Sequence, residues 1–141
     1  MPNEMIASCS YISTARAGLA DTDFQAILDE ANERNATLGL TGLLAFNGLN
    51  FMQTLEGARQ NVYECIRLIE MDRRHNGMVI FDRREIRQRE FSGWTMAGIR
   101  MRSADKLCRV ELDQLLSADG VRPETRKNFQ SFQSYGRPAA L

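Results

Sequence analysis

Alternating and helically recurring apolar positions divide the chain into short elements. Met5-Ile-Ala-Ser-Cys-Ser-Tyr-Ile12 alternates small or polar with apolar residues, the period of a strand, and puts Ala7, Cys9 and Tyr11 on one face. Thr22 and Asp23 are N-cap types, and Phe24, Ile27, Leu28 and Ala31 then recur at helical spacing, predicting an amphipathic helix over residues 23–35. Leu40 to Phe46 and Phe51 to Glu56 are apolar runs joined across Asn47-Gly48, the signature of a β-hairpin. Val62, Cys65, Ile66 and Ile69 define a second helix ending near Asp72. Arg73, Arg74 and His75 follow at its C-terminus, where the helix dipole favours positive charge. Met78 to Phe81 and Phe91 to Met101 read as two more strands, separated by a turn over the charged stretch Asp82 to Glu90.

The order βαββαββ predicts an α+β fold of ferredoxin-like type, a five-stranded mixed sheet with two helices on one face. Beyond Met101, Ala104, Leu107, Cys108, Leu112 and Leu115 suit a third helix that Asp119-Gly120 breaks. Pro123 opens a weak last helix whose Phe129 and Phe132 must dock on something, either the bare sheet face or a second subunit. The expected organisation is one domain over residues 1–101 with a C-terminal helical extension over residues 102–141.

Composition narrows the function. At 141 residues with 43% hydrophobic and 26% charged residues the chain suits one soluble globular domain. Lysine plus arginine and aspartate plus glutamate each total 18, so no basic surplus draws the protein to nucleic acid. No apolar run approaches the ~20 residues of a membrane span, and the start of the chain lacks a signal-peptide pattern, so a cytoplasmic location is expected. Cys9, Cys65 and Cys108 form no CxxC pair, which argues against a disulfide framework and a thiolate zinc site. His75 is the one histidine, and mechanisms that need two are excluded.

Polar residues on core-facing strands carry the chemical information, because a buried hydroxyl or amide costs about 1–3 kcal/mol unless it is paired. Tyr11 alternates with Cys9 and Ala7, and Gln53 with Phe51 and Leu55. Either the two satisfy one another and the backbone, or a ligand presents donors and acceptors to that face. Asn35 suits a helix C-cap as well as a ligand contact, Trp94 and Met96 suit core positions, and Asp72 to His75 suit a solvated helix end. A phosphate-hydrolysing enzyme of ferredoxin-like fold would want a phosphate-cradling glycine loop, and none is present. A ligand-free interaction module would leave Tyr11 and Gln53 without a purpose.

Taken together, Ser10-Tyr11-Ile12-Ser13, Asn35 before Leu40-Thr41-Gly42-Leu43-Leu44, Phe51-Met52-Gln53-Thr54-Leu55-Glu56-Gly57, Asp72-Arg73-Arg74-His75 and Phe91-Ser92-Gly93-Trp94-Thr95-Met96 closely resemble the BLUF family of flavin-binding blue-light sensors. The resemblance covers residues 3–101. It implies FAD held non-covalently between the two helices, and a sensor rather than an enzyme. It implies that Tyr11 and Gln53 adjoin the flavin, that Asn35 binds the pyrimidine edge of the ring, and that Ile27 and Ile69 sandwich it. Leu44, Phe51, Asp72, Arg74, His75 and Met96 are implied to lie around the ring and ribityl chain, with Trp94 and Met96 on a switch strand. Many members carry asparagine or histidine where this chain has Arg34, and Leu68 replaces a basic residue found in some; Arg34 or Arg67 then supplies charge for the FAD phosphates. On illumination the resemblance implies electron and proton transfer from Tyr11, rearrangement of Gln53, and a red-shifted state relayed through the last strand to the C-terminal helices. The output is expected through a homodimer or higher homo-oligomer, because Leu107, Leu112, Leu115, Phe129 and Phe132 need a surface, or through a response protein in trans.

Overall fold

The structure, a computed structural model, describes residues 5–93, 95–101, 112–117 and 120–135. Its elements are β1 (Ile6–Ala15), α1 (Asp21–Leu38), β2 (Thr41–Phe46), β3 (Asn50–Gly57), α2 (Arg59–Glu70), β4 (His75–Ile86), β5 (Ala97–Arg100) and α3 (Pro123–Phe132). The five strands form one sheet in the order β4-β1-β3-β2-β5. Pairing is antiparallel except for β5, which runs parallel to β2. This is the expected ferredoxin-like mixed sheet, and α1 and α2 share one of its faces. Among the described residues no helix is long and apolar enough to cross a membrane.

Element boundaries depart from the sequence pattern where side chains do work that periodicity does not register. α1 starts earlier than expected: Ala20 is the N-cap, and Asp23 closes the first turn by accepting from the Ala20 N–H at 2.8 Å. It ends later, at Gly39, whose left-handed φ of 67° suits glycine, so the C-cap is Gly39 and not Asn35. The hairpin turn centres on Gly48-Leu49, with the Asn47 Oδ1 accepting from the N–H groups of Leu49 and Asn50.

β4 is twelve residues long and absorbs much of the charged stretch that the sequence suggested was a turn. It is an edge strand, so its charges face solvent or neighbouring helices: Arg83 lies over the Tyr63 ring, and Arg84 pairs with Asp82 and Glu124. Conversely, β5 is only four residues, not the run from Phe91 to Met101. The Phe91 N–H is taken by the Glu56 carboxylate at 2.7 Å instead of by a neighbouring strand. Met96 therefore precedes the strand, and Trp94 lies outside the described residues.

The sheet separates two cores. Between it and α1 and α2 lie Ala7, Cys9, Tyr11, Phe24, Leu44, Phe51, Leu55, Val62, Cys65, Ile66 and Met96. On the other face Leu43, Ala45, Met52, Phe91 and Ile99 pack against Leu112, Leu116, Phe129 and Phe132. Of the third helix expected from Ala104 onward, residues 112–116 are helical, while Ala104, Leu107 and Cys108 lie outside the described residues. The apolar C-terminal residues thus dock on their own chain's sheet. Leu112, Phe129 and Phe132 are buried and Leu115 is half-buried, so they supply no reason for self-association.

Polar ties fasten both ends of α3. Arg122, its N-cap, donates to the buried Glu90 carboxylate through its backbone N–H, Nε and Nη2. At the other end the Asn47 amide donates to the carbonyls of Phe132 and Tyr135 at 3.0 and 2.9 Å. Phe129 is fully buried and meets Phe91 edge to face, so Phe129→Ala is expected to destabilise the protein by about 3–5 kcal/mol. Urea denaturation followed by far-ultraviolet circular dichroism measures this; a loss below about 1 kcal/mol contradicts the docking of α3.

Candidate functional site

α1 and α2 flank a narrow cleft over the middle of the sheet. Strand register builds its floor. Tyr11 on β1 stands directly opposite Gln53 on β3, which stands opposite Leu44 on β2, so all three present side chains to the same face. Phe51, two residues from Gln53, extends that floor. Helical spacing builds the walls: Ile27, Glu30, Ala31 and Arg34 line one side from α1, and Ile69 faces them from α2. Asp72, Arg74 and His75 close the end where α2 passes into β4.

The floor holds a buried polar pair. The Tyr11 hydroxyl donates to the Gln53 Oε1 at 2.6 Å, and the Gln53 Nε2 points to the Met96 Sδ at 3.5 Å. A thioether is a weak acceptor, so the donor end of this amide is poorly satisfied while its acceptor end is well satisfied. Burial holds the Tyr11 phenol protonated well beyond the usual tyrosine range, and it also pushes up the Cys65 thiol on α2.

The rim is ionic. Asp72 accepts from the Arg74 N–H, Nε and Nη2, and Arg74 Nη2 also donates to Glu30 Oε2 on α1 at 2.6 Å, strapping the two walls together. The Arg74 guanidinium holds the Asp72 carboxyl below its ordinary value. His75 uses both ring nitrogens structurally: Nε2 donates to the Ile69 carbonyl at 2.5 Å and Nδ1 meets the Ser13 hydroxyl at 2.7 Å. With both nitrogens engaged, the imidazole is held in place as part of the cleft wall.

Tyr11, Ile27, Arg34, Leu44, Phe51, Gln53, Ile69, Asp72, Arg74 and His75, all singled out from the sequence, converge on this cleft. Two others sit one layer back. The Asn35 amide is fully buried, donating to the Thr95 carbonyl at 3.0 Å and accepting weakly from the Cys65 thiol, and Met96 touches the site through Gln53. Glu30 and Ala31 were missed, although they fall three and four residues after Ile27, the spacing that puts residues on one helix face. Leu68 and Arg67 are exposed on α2 and do not line the cleft.

These residues suit a flat, partly polar ring: branched aliphatics on facing walls, an amide and a phenol on the floor, and Arg34 Nε, buried with no hydrogen-bond partner. Comparison with known proteins agrees. A family model described as sensors of blue-light using FAD matches residues 6–97. Photoactivated adenylate cyclase subunit beta of Euglena longa is 36% identical over 93 residues, 64% of this chain and 11% of that protein, so this chain spans a small part of that relative. The dark-state structure of BlrB, a BLUF protein, superposes with a TM-score of 0.69 at 31% identity, covering 93% of this chain and 99% of that one. A manganese and cyclic-diGMP complex of Klebsiella pneumoniae BlrP1 superposes with a TM-score of 0.80 at 28% identity, covering 94% of this chain and 33% of that one.

The buried phenol is directly testable. Because its folded pKa is raised, Tyr11 stays neutral as pH rises through the ordinary tyrosine range near 10, and beyond it each further unit favours the unfolded chain. Ultraviolet titration of the native protein is therefore expected to give the same phenolate step in wild type and Tyr11→Phe, with the extra tyrosine ionising only on unfolding. A smaller step in the variant places Tyr11 in contact with solvent.

Proposed function

The chain belongs to the BLUF family of blue-light sensors using FAD, and from that membership we propose that it binds FAD non-covalently in the cleft between α1 and α2 and signals illumination through Tyr11 and Gln53. The observation that carries the reading is the 2.6 Å hydrogen bond between these two side chains on the cleft floor, beside a poorly satisfied amide donor. Ile27 and Ile69 are the sandwich residues in this reading, with Leu44 and Phe51 below. Asn35 acts from the layer beneath or by turning its amide from Thr95 toward the ring. Asp72, Arg74 and His75 shape the rim.

Bound flavin supplies absorption of blue light and an acceptor for an electron and a proton. Tyr11 holds the proton at its Oη, hydrogen-bonded to the Gln53 carbonyl, and its burial keeps that proton in place at every physiological pH. Gln53 carries a donor and an acceptor on one planar group, so rotation or tautomerisation exchanges them with β3 unmoved. An amide that turns this way would withdraw its N–H from Met96 and present it to a bound ring, where a stronger hydrogen bond would shift absorption to the red.

The same strand leads outward. Three residues beyond Gln53, Glu56 points to the opposite face, where its buried carboxylate accepts from the Thr41 hydroxyl and the N–H groups of Glu90 and Phe91. Glu90 in turn receives Arg122 at the start of α3. The segment from Glu90 to Met96 thus touches the switch amide at one end and the α3 tie at the other, and we read it, with Trp94 within it, as the relay. Output passes to a response protein in trans or a second copy of the chain, as a bias between two arrangements of α3.

An absorption spectrum in darkness and after blue illumination tests the reading: a flavin spectrum that moves slightly red and recovers in darkness is expected. Gln53→Ala and Tyr11→Phe are expected to retain FAD and lose the shift, and a normal shift in either removes that residue from the switch. A colourless protein that no FAD reconstitutes returns the chain to the light-independent interaction modules. For the relay, hydrogen exchange over residues 120–135 is expected to quicken on illumination in wild type. In Arg122→Gln it is fast in light and darkness alike, with the red shift intact; slow exchange in the dark variant excludes this path.

A further inference from the structure

Resting on the switch reading of Gln53 above, we propose that Asn32, a residue of α1 outside the cleft, positions the switch: by holding the Thr95 hydroxyl it keeps Met96 against Gln53 and sets how fast the illuminated protein returns to its dark state. Thr95 and Met96 stand just ahead of β5, whose pairing with β2 begins at Ala97 opposite Leu43. The ladder therefore does not place them, and β5 is itself an edge strand.

Their place is fixed from α1. The Asn32 Oδ1 accepts from the Thr95 hydroxyl at 2.6 Å, while the Asn32 Nδ2 donates to the Leu28 carbonyl one turn back at 3.1 Å, which orients the amide. The Asn35 Nδ2 donates to the Thr95 carbonyl at 3.0 Å. Leu28 completes the hold, its Cδ2 filling the space where a Cβ on Gly98 would stand. Leu28, Asn32 and Asn35 follow at intervals of four and three, one stripe of the helix. Ile27, Ala31 and Arg34, each one residue earlier, form the neighbouring stripe that lines the cleft. One helix thus faces the cleft with one stripe and grips the switch segment with the next.

The grip bears on Met96 because Thr95 is its chain neighbour. Met96 is buried, with its Cε 3.1 Å from where a Cβ on Gly42 would stand and its Sδ 3.5 Å from the Gln53 Nε2. A thioether is a weak acceptor, so this contact is kept by placement more than by its own strength. With Asn35 turned toward a bound ring, Asn32 is the polar tether of Thr95 that remains among the described residues. The contact between Gln53 and Met96 belongs to the amide orientation that precedes illumination. Loosening Thr95 takes the acceptor away from that orientation, and the return to it slows.

Dark recovery of the FAD-loaded protein, followed by the decay of the red-shifted absorption, tests this. Asn32 is half-buried and Thr95 exposed, so substitutions there are expected to leave folding and FAD affinity as in wild type. Asn32→Ala and Thr95→Val are each expected to slow recovery about two- to fourfold, the worth of one partly exposed hydrogen bond. The double variant is expected to be no slower than either alone, since both substitutions remove the same bond. Thr95→Ser keeps the hydroxyl and is expected to recover at the wild-type rate. Recovery in Asn32→Ala that is unchanged or faster overturns the proposal, as do effects that multiply in the double variant or a Thr95→Ser as slow as Thr95→Val. So does FAD affinity that falls together with the rate, which makes Asn32 a structural support of the cleft. A wild-type protein that takes up no flavin, or shows no red shift, sinks the switch reading itself, whereas a normal wild-type photocycle with an indifferent Asn32→Ala sinks this proposal alone.

Discussion

A primary amide buried in the centre of a sheet, with a tyrosine hydroxyl on its oxygen and, among the described residues, a thioether as the one hydrogen-bond partner of its nitrogen, is the constraint on which the rest of this structure turns. Gln53 is 2% exposed and sits on the central strand, where an unpaired amide is among the more expensive things a protein can bury. The register that sets Tyr11 opposite Gln53 satisfies one end of it. The cleft between α1 and α2 borders the same amide. The cleft and the imperfectly satisfied donor therefore meet at one residue.

Strand alternation connects this site to the opposite side of the molecule. On β3, Gln53 and Leu55 look toward α1 and α2, while Thr54 and Glu56 look toward the C-terminal helices. One strand thus carries a buried amide on one face and a buried carboxylate on the other. Burial raises the pKa of Glu56 and of Glu90, and both are held by donors arranged around them: backbone N–H groups and Thr41 for Glu56, and Thr125 with Arg122 for Glu90. Polar groups confined in this way tolerate few geometries.

Most of this was legible in the sequence because the inner elements obey simple periods. The buried set of α2, Val62, Cys65, Ile66 and Ile69, is the set that helical spacing names, and Ala7, Cys9 and Tyr11 share the face that alternation assigns them. Failures occurred where a tertiary partner overrides local pattern. β4 runs through charged residues because an edge strand needs only one neighbour, and β5 is short because Glu56 takes the N–H of Phe91. The cleft itself was reached through the family resemblance, since Tyr11 or Gln53 alone has an ordinary reading as a satisfied core residue. Glu30 was within reach of helical arithmetic from Ile27, and Ala31 was placed on the helical seam, but neither was assigned to the site because neither matched a motif. The docking of α3 was open between two surfaces, and only the packing of Phe129 and Phe132 chose between them.

Seating the C-terminal helices on the outer sheet face also makes them a permanent competitor for it. A segment joined covalently to its own binding surface acts at an effective concentration in the millimolar range. A free protein present at about a thousandth of that must bind the face roughly a thousandfold more tightly to displace α3 unaided, a difference of about 4 kcal/mol. Loosening either tie, Glu90 with Arg122 or Asn47 with the last turn, lowers that threshold without altering the face itself. Under the proposed relay, a modest rearrangement at the distant amide would decide whether a partner gains entry, since the helix to be evicted is already seated and needs only to hold less well.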